Sequence, residues 1–374
     1  MKFQGSIKKV QILALLSIIL VLILGVSSYS ADKNAINTAD VGMGARPIAL
    51  GGAYVGIADD ASAVFTNPGG LGLQKRFSAV SMSTQLLTCV DYRVAGLVWP
   101  TAYGNFGFGY IGVTCPAGDH IYMDGGVTVE EGAMYYSNDQ YILSYGRDIS
   151  DWYSETVYFE KGKVKNLGFG ANIKLFSQGL NGDIRNAPAA DGLELDLGIL
   201  HKPDDRLTLG ATLQNAYRGR EGSSIAWSTG QSETLPTVLK LGCSYMATDN
   251  VMVALDTDTF IGVDRKMMFH GGCEWQLMPA LALRGGFDQR EESIDDRTIG
   301  VATYYSLGVG LTLNGFRFDY AYRQDINFTE LSSHYFSFSF CAEPPAKPAA
   351  EKSTLTRYEN MIDNQENTAQ TVSQ

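Results

Sequence analysis

Charge is scarce in this chain. Asp, Glu, Lys and Arg together make up 18% of 374 residues, and the formal balance is −11. The few Lys and Arg are scattered and form no stripe, which excludes nucleic acid as a partner. Histidine occurs four times, at 120, 201, 270 and 334, without ligand spacing. No Ser-His-Asp or paired-carboxylate grouping stands out, so no metal, no cofactor and no enzyme activity are expected. Five cysteines are an odd count for an exported chain. Cys89 and Cys115 both fall in expected outer loops, where a bridge between them is open. Cys243 and Cys273 sit at outward positions of non-adjacent expected strands, as small apolar fillers. Long hydrophobic runs are absent beyond the N-terminus, and no later stretch is long enough to cross a membrane as a helix.

What the chain does have is glycine, aromatics and alternation. There are 41 Gly, 17 Phe and 20 Tyr, and 45% of residues are hydrophobic. High Gly and aromatic content with few charges suits a membrane β-barrel, whose strands pair every backbone group and present aromatics to lipid. At the N-terminus, Lys8-Lys9 precedes the apolar run Ile12–Val26, and small residues stand at Ser28 and Ser30. This is the layout of an export signal, removed near residue 30.

From Phe77 onward the period is two. Leu207–Gln214 places apolar residues on one face and Thr, Gly and Gln on the other. Gly315–Arg323 turns Phe316, Phe318, Tyr320 and Tyr322 outward, with Arg317, Asp319 and Arg323 inward. Alternation alone fits a soluble sandwich as well as a barrel. The export signal, the lack of a helical layer and the segment before the first strand favour lipid outside. The expected fold is all-β: a transmembrane antiparallel barrel of about fourteen strands over residues 78–340. The expected strands are Ser78–Leu87, Arg93–Pro100, Asn105–Val113, Asp139–Ile149, Lys165–Ser177, Leu193–His201, Leu207–Asn215, Val238–Met246, Val251–Phe260, Lys266–Leu277, Leu281–Asp288, Tyr304–Leu313, Gly315–Gln324 and Ser332–Phe340. Short connections (Thr101–Gly104, Lys202–Arg206, Ala247–Asn250, Met278–Ala280, Asn314) fall on one side, which faces the periplasm by the usual barrel rule. Long ones (Thr114–Asn138, Gln178–Gly192, Ala216–Thr237, Gln289–Thr303) fall on the other. Ser150–Val164 breaks this rule as an insertion on the short side.

The expected lumen carries nearly balanced charge. Lys174, Lys240, Arg284, Arg317 and Arg323 stand against Glu194, Asp196, Asp256, Asp258, Glu274 and Asp319. Lys174 lies on the strand next to that of Glu194 and Asp196, so cross-strand pairing is expected. For most of these charges, mutual neutralisation is the main role. Gly107–Gly112 matches G-x-G-x-x-G, but its glycines alternate with aromatics inside a strand and no helix follows, so it is no nucleotide loop. The alternation slips at Tyr110-Ile111, which predicts a bulge. The long loop that follows holds Tyr122, Met134, Tyr135 and Tyr136, candidates together with Tyr110 and Ile111 for a ligand or docking site.

The stretch Gly42–Leu73 precedes the first strand. It runs G-M-G-A-R-P-I-A-L-G-G-A-Y-V-G-I-A-D-D-A-S-A-V-F-T-N-P-G-G-L-G-L. Asp59 or Asp60 is placed to cap a short helix over Ala61–Phe65. Asn67 is placed to cap a second, with Pro68 at its first position. Leu50-Gly51-Gly52-Ala53, Ala58-Asp59-Asp60-Ala61 and Asn67-Pro68 resemble the N-terminal hatch of the FadL-type outer-membrane transporters, and more closely that of their PorV/PorQ-type relatives. Gly69 stands where that family usually has Ala, and Pro47 is a second departure. The resemblance implies a hatch of residues 31–77 seated in the lumen, with Gly51, Gly52, Asp59, Asp60, Asn67, Pro68 and Gly69 as its motif. It also implies a place in the outer membrane, among its lipids, with a bulged third strand as a side exit for hydrophobic ligands. The last expected strand ends in Phe340 with aromatics at every second position, like the signal read by the barrel-assembly machinery. Residues 341–374, opened by a Pro-rich run, read as a disordered periplasmic tail. Two functions remain. One is handling of exported proteins, as in type IX secretion, which the closer hatch wording favours. The alternative is transport of a hydrophobic small solute.

Overall fold

The computed structural model describes residues 41–342, apart from 87–88, 151–165, 183–186, 218–224, 264, 296–297 and 326–331. The export signal, the tail and the body of the 150–164 insertion lie outside the described residues. Among the described residues sixteen strands follow three short helices. The helices are α1 (Ala45–Ala49), α2 (Ala63–Thr66) and α3 (Gly69–Leu73). The strands are β1 (Ser78–Leu86), β2 (Val90–Thr101), β3 (Gly104–Asp124), β4 (Val127–Asp148), β5 (Leu167–Gly182), β6 (Ala189–His201), β7 (Leu207–Gln214), β8 (Ile225–Trp227), β9 (Ser232–Glu233), β10 (Thr237–Thr248), β11 (Val251–Ile261), β12 (Met268–Met278), β13 (Leu281–Asp295), β14 (Thr298–Leu313), β15 (Phe316–Asp325) and β16 (Ser333–Cys341).

All but β8 and β9 form one closed antiparallel ring of fourteen strands. Neighbours in sequence pair in sequence, β7 pairs with β10, and β1 pairs with β16 to close the circle. Closure leaves no edge strand, so each ladder hydrogen bond has a protein partner, as a hydrocarbon surrounding demands. The small β8–β9 hairpin attaches to the upper end of β6.

The period-two pattern sorts the two faces. Leu143, Ile173, Leu175, Val253, Leu255, Leu307 and Leu311 point outward and stay exposed. Near the short turns the outer wall is aromatic. Phe77 packs edge-on against Trp99 at 6.1 Å, Phe106 lies 5.4 Å from Tyr145, and Phe316 lies 4.8 Å from Phe340. An apolar band bordered by an aromatic girdle is what a lipid-facing wall requires.

Each expected strand is present, but several expected loops are strands as well. Thr114–Asn138 is no loop: β3 and β4 continue as a paired ribbon to a turn at Gly125-Gly126, where both glycines have positive φ. Gln289–Thr303 is largely the continued pair of β13 and β14. The expected bulge at Tyr110-Ile111 is absent. The β2–β3 register runs unbroken from Asp91↔Thr114 to Thr101↔Gly104. On the other side, β3 and β4 slip only at Pro116/Gly118 and His120/Ile121. Ile111 keeps its inward phase and is fully buried. It reads as out of phase only because the lumen at its height is apolar, packed by Val64, Phe65 and Leu71. Cys89 and Cys115 are free thiols, as are the other three cysteines.

Residues 41–77 run inside this ring before β1 begins. Their buried side chains, Ile48, Val64, Phe65 and Leu71 among them, form a core with inward residues Val80, Met82, Tyr92, Val94, Val98, Ile111 and Ile142. What permits this is glycine on the barrel wall. A side chain added at Gly146, Gly170, Gly198, Gly210, Gly272 or Gly286 would stand under 3.0 Å from the luminal segment. These glycines belong to six different strands and all face inward. The segment answers with its own: a side chain at Gly51, Gly56 or Gly69 would strike strand backbone, at Phe287, Cys243 and Ile199. Backbone therefore lies directly on backbone around much of the circle.

Candidate functional site

The luminal segment is anchored by ions as well as by close contact. Arg46 sits on α1 with its side chain 7% exposed. Its guanidinium donates to Asp59 Oδ1 at 2.6 Å, to Tyr54 Oη at 2.7 Å and to Glu274 Oε2 on β12 at 2.9 Å. Glu274 also accepts from Arg284 at 2.6 Å, Arg284 donates to Asp319 at 2.6 Å, and Asp319 accepts from Arg317 at 2.7 Å. Arg317 returns to the segment through Asp60 at 2.6 Å. The chain of contacts is a closed circuit of alternating sign, and each buried charge in it has an opposite neighbour. Burial alone would push the Asp60 carboxyl up, but the Arg317 guanidinium outweighs it and holds the group below its ordinary range. Burial drives the Tyr54 phenol well above its ordinary value, so it stays a neutral donor to Asp59.

The caps differ in detail from the sequence expectation. The helix after the acids is Ala63–Thr66, two residues later than expected, and Asp60 Oδ1 accepts the Ser62 N–H at 2.9 Å. Asp59 instead faces Arg46. Asn67 is fully buried; its Oδ1 accepts the Gly69 N–H at 3.0 Å. Pro68 is the N-cap itself rather than the first helical residue. The Asn67 amide also donates to Val55 O at 2.9 Å and Ile199 O at 3.0 Å, tying segment to segment and segment to wall. Gly51 and Gly52 make a turn with φ +63 and +78.

The other lumen charges are placed as follows. Lys174 lies opposite Glu194, yet its Nζ goes diagonally to Asp196 at 2.8 Å and also meets Asn215. Lys240 holds Asp258 at 2.6 Å. Asp256 Oδ2 accepts the Val55 N–H at 2.7 Å. Arg323 donates to Val41 O at 3.0 Å and lies over the Tyr335 ring at 5.1 Å.

The expected ligand set does not converge. Tyr110 is on the outer wall, bonded to Asp139 at 2.7 Å, while Ile111 faces the lumen. Tyr135 is exposed, Met134 is half-buried, and Tyr136 donates to Gln178 at 2.9 Å. Tyr122 lies on the projecting part of β3.

A cavity of about 510 Å³ opens instead on the side of the long connections, above the luminal segment. Its floor is Met43, Pro47, Ile48, Val55 and Phe65 of that segment. Its wall is drawn from β7, β10, β11, β12 and β13: Gln214, Val238, Lys240, Asp256, Asp258, Phe260, His270, Asp288 and Arg290. Floor and wall differ in character, apolar below and largely polar at the side. The size lies within the range of small-molecule sites. Reading the sequence missed Met43, Ile48, Phe65, His270 and Asp288 as lining residues. Their inward phase was readable, but which strands share one height depends on stagger around the ring.

No family model and no curated protein matches this chain. Solved structures do. The CymD monoaromatic hydrocarbon channel is 12% identical, with a TM-score of 0.52 over 83% of this chain and 99% of that one. The P. putida toluene transporter TodX is 13% identical, with a TM-score of 0.52 over 81% and 98%. At such identity the likeness establishes a shared fold.

Proposed function

We propose that this chain is an outer-membrane barrel that passes small hydrophobic solutes inward, with the cavity above the luminal segment as their first binding site. The observation that carries the reading is the cavity itself. It is a concave, partly apolar space inside a lipid-facing barrel, open towards the long connections and floored by a plug that blocks free passage. Both solved structures named above are, by their descriptions, a monoaromatic hydrocarbon channel and a toluene transporter, which favours solute transport over the handling of exported proteins. The export signal over residues 1–30, the plug over 31–77 and the periplasmic tail over 341–374 belong to this proposal. So do the lipids of the outer membrane and the barrel-assembly machinery as its surroundings.

The plug motif acts here as a retained stopper. Arg46, Asp59, Asp60 and Asn67 hold it against Glu274, Arg317 and Ile199 O. The inward charges hold the stopper and one another rather than lining an open ion path. Val238 is buried and faces the cavity, so Val238→Trp fills the space without touching the ion circuit. Cells carrying only this variant are expected to take up labelled toluene as slowly as a deletion strain, with normal surface proteins. Deletion that spares toluene uptake but strips proteins from the cell surface would overturn the reading in favour of secretion.

A further inference from the structure

The wall of the cavity points to more than hydrocarbon. Asp288 on β13 has its side chain 5% exposed and lines the cavity. Its Oδ2 is held by Arg290, at 2.8 Å from Nε and 2.7 Å from Nη2. Its Oδ1 is buried and meets no protein donor. A carboxylate oxygen withdrawn from bulk solvent and left without a donor is costly unless a ligand or solvent donor reaches it. His270, next along the wall on β12, stands 3.4 Å from Asp258 through Nε2, and its Nδ1 meets no protein group. The two residues that carry these unbonded atoms thus line a space whose floor includes Ile48, Val55 and Phe65.

The charges of the same wall are unequal in availability. Lys240 is committed to Asp258 and Arg290 to Asp288. Among the described residues Asp256 has no ion-pair partner and accepts only from backbone. A ligand carboxylate entering here meets Asp258 and Asp288, whose cations are already engaged, and Asp256, which has none, while the remaining cation of the lining, Arg265, lies over the Phe260 ring. A ligand hydroxyl meets an acceptor that lacks a donor.

Resting on the proposed transport role, we infer that the cavity selects apolar solutes that carry one neutral hydrogen-bond donor, of the phenol class, over plain hydrocarbons and over carboxylates. The apolar body lies on Ile48, Val55 and Phe65. The hydroxyl donates to Asp288 Oδ1, and His270 Nδ1 is the second polar contact within the same wall.

The test compares three probes of nearly one size by equilibrium dialysis against the full chain in lipid nanodiscs, with empty discs as blank. They are 4-ethylphenol, ethylbenzene and 4-ethylbenzoate. 4-Ethylphenol is expected to bind about tenfold or more tighter than either of the others, as a bond to a buried carboxylate implies. Asp288→Asn keeps an acceptor and retains the preference. Asp288→Leu loses it and brings ethylbenzene level with the phenol. Equal binding of ethylbenzene and 4-ethylphenol by the unaltered protein overturns the inference and leaves transport standing, with no variant needed. Tighter binding of 4-ethylbenzoate overturns it as well. Failure of all three probes to bind removes the cavity as a solute site, and the transport reading with it.

Discussion

Arg46 of α1 and Glu274 of β12 are 228 residues apart and joined by two hydrogen bonds, Nε to Oε2 at 2.9 Å and Nη2 to Oε1 at 3.1 Å. The bidentate geometry is the strongest form that such a pair takes. It is one of the points at which the plug is bolted to the wall, beside Asp60–Arg317 and Asn67–Ile199 O.

Removing the bolt leaves Glu274 partly unanswered and Asp59 without its cation. Arg46→Met is expected to cost roughly 3–5 kcal/mol, the range for breaking a buried pair from one side. Urea unfolding in detergent, followed by the shift from compact to heat-denatured migration on gels, reads it. An unchanged midpoint would show that the ion circuit contributes nothing.

Acid should loosen a second plug-to-wall junction, Asp60 with Arg317. The Asp60 carboxyl is held below its ordinary value of 3.8 in the folded chain. A group so depressed contributes its full stability above the unfolded value and loses it as pH falls through the folded one. The thermal midpoint is therefore expected to be level from about pH 8 down to about pH 5, then to fall by about pH 3. In Asp60→Asn the fall should be smaller. An equal fall in both proteins would place the acid sensitivity elsewhere.

The inward glycines make a sharper prediction. A side chain at Gly198 would collide with Asn67 and with the Gly69 backbone. Gly198→Leu is expected to leave a heat-modifiable barrel but displace the plug. With the five native cysteines replaced, Ser62→Cys, buried in the parent, should become reactive to a bulky polar maleimide. Continued protection would mean that the wall yields rather than the plug.

The outer wall is testable separately. Leu143 faces outward in the barrel part of β4, between Phe108 of β3 and Ile173 of β5, and is exposed. Leu143→Arg is expected to destabilise insertion into vesicles by about 2–4 kcal/mol, the cost of a cation at the bilayer midplane. Arg93, near the start of β2, is charged and exposed already, so Arg93→Leu, which removes a charge rather than adding one, is the control. Equal tolerance at both positions would argue that the band at Leu143 does not meet lipid.

Much of this architecture was legible because alternation has a fixed period and charge has a fixed cost. Phe316, Phe318 and Tyr320 outward with Arg317 and Asp319 inward follows from parity alone. The same parity misled at Tyr110-Ile111, where an inward apolar residue imitates a slip. A lumen is polar by default, and only the presence of Val64 and Phe65 inside makes Ile111 regular. The β3–β4 ribbon was hidden because Gly118, Gly125 and Gly126 look like loop, although they serve a register shift and a turn. The diagonal choice of Lys174 for Asp196 over Glu194 lies below sequence resolution: both are inward, and the ammonium also meets Asn215, which parity does not announce.

The plug that rests on wall glycines also behaves as a gauge. Its turns touch one strand after another around the circumference, each at backbone distance, so the bore can neither widen nor narrow without opening a gap or forcing an overlap. Gaining or losing a hairpin would change the bore by two strands at once and leave this segment the wrong length for its track. The long connections outside carry no such constraint. Over evolutionary time, change should accumulate at the mouth, while ring size and plug length remain locked to each other.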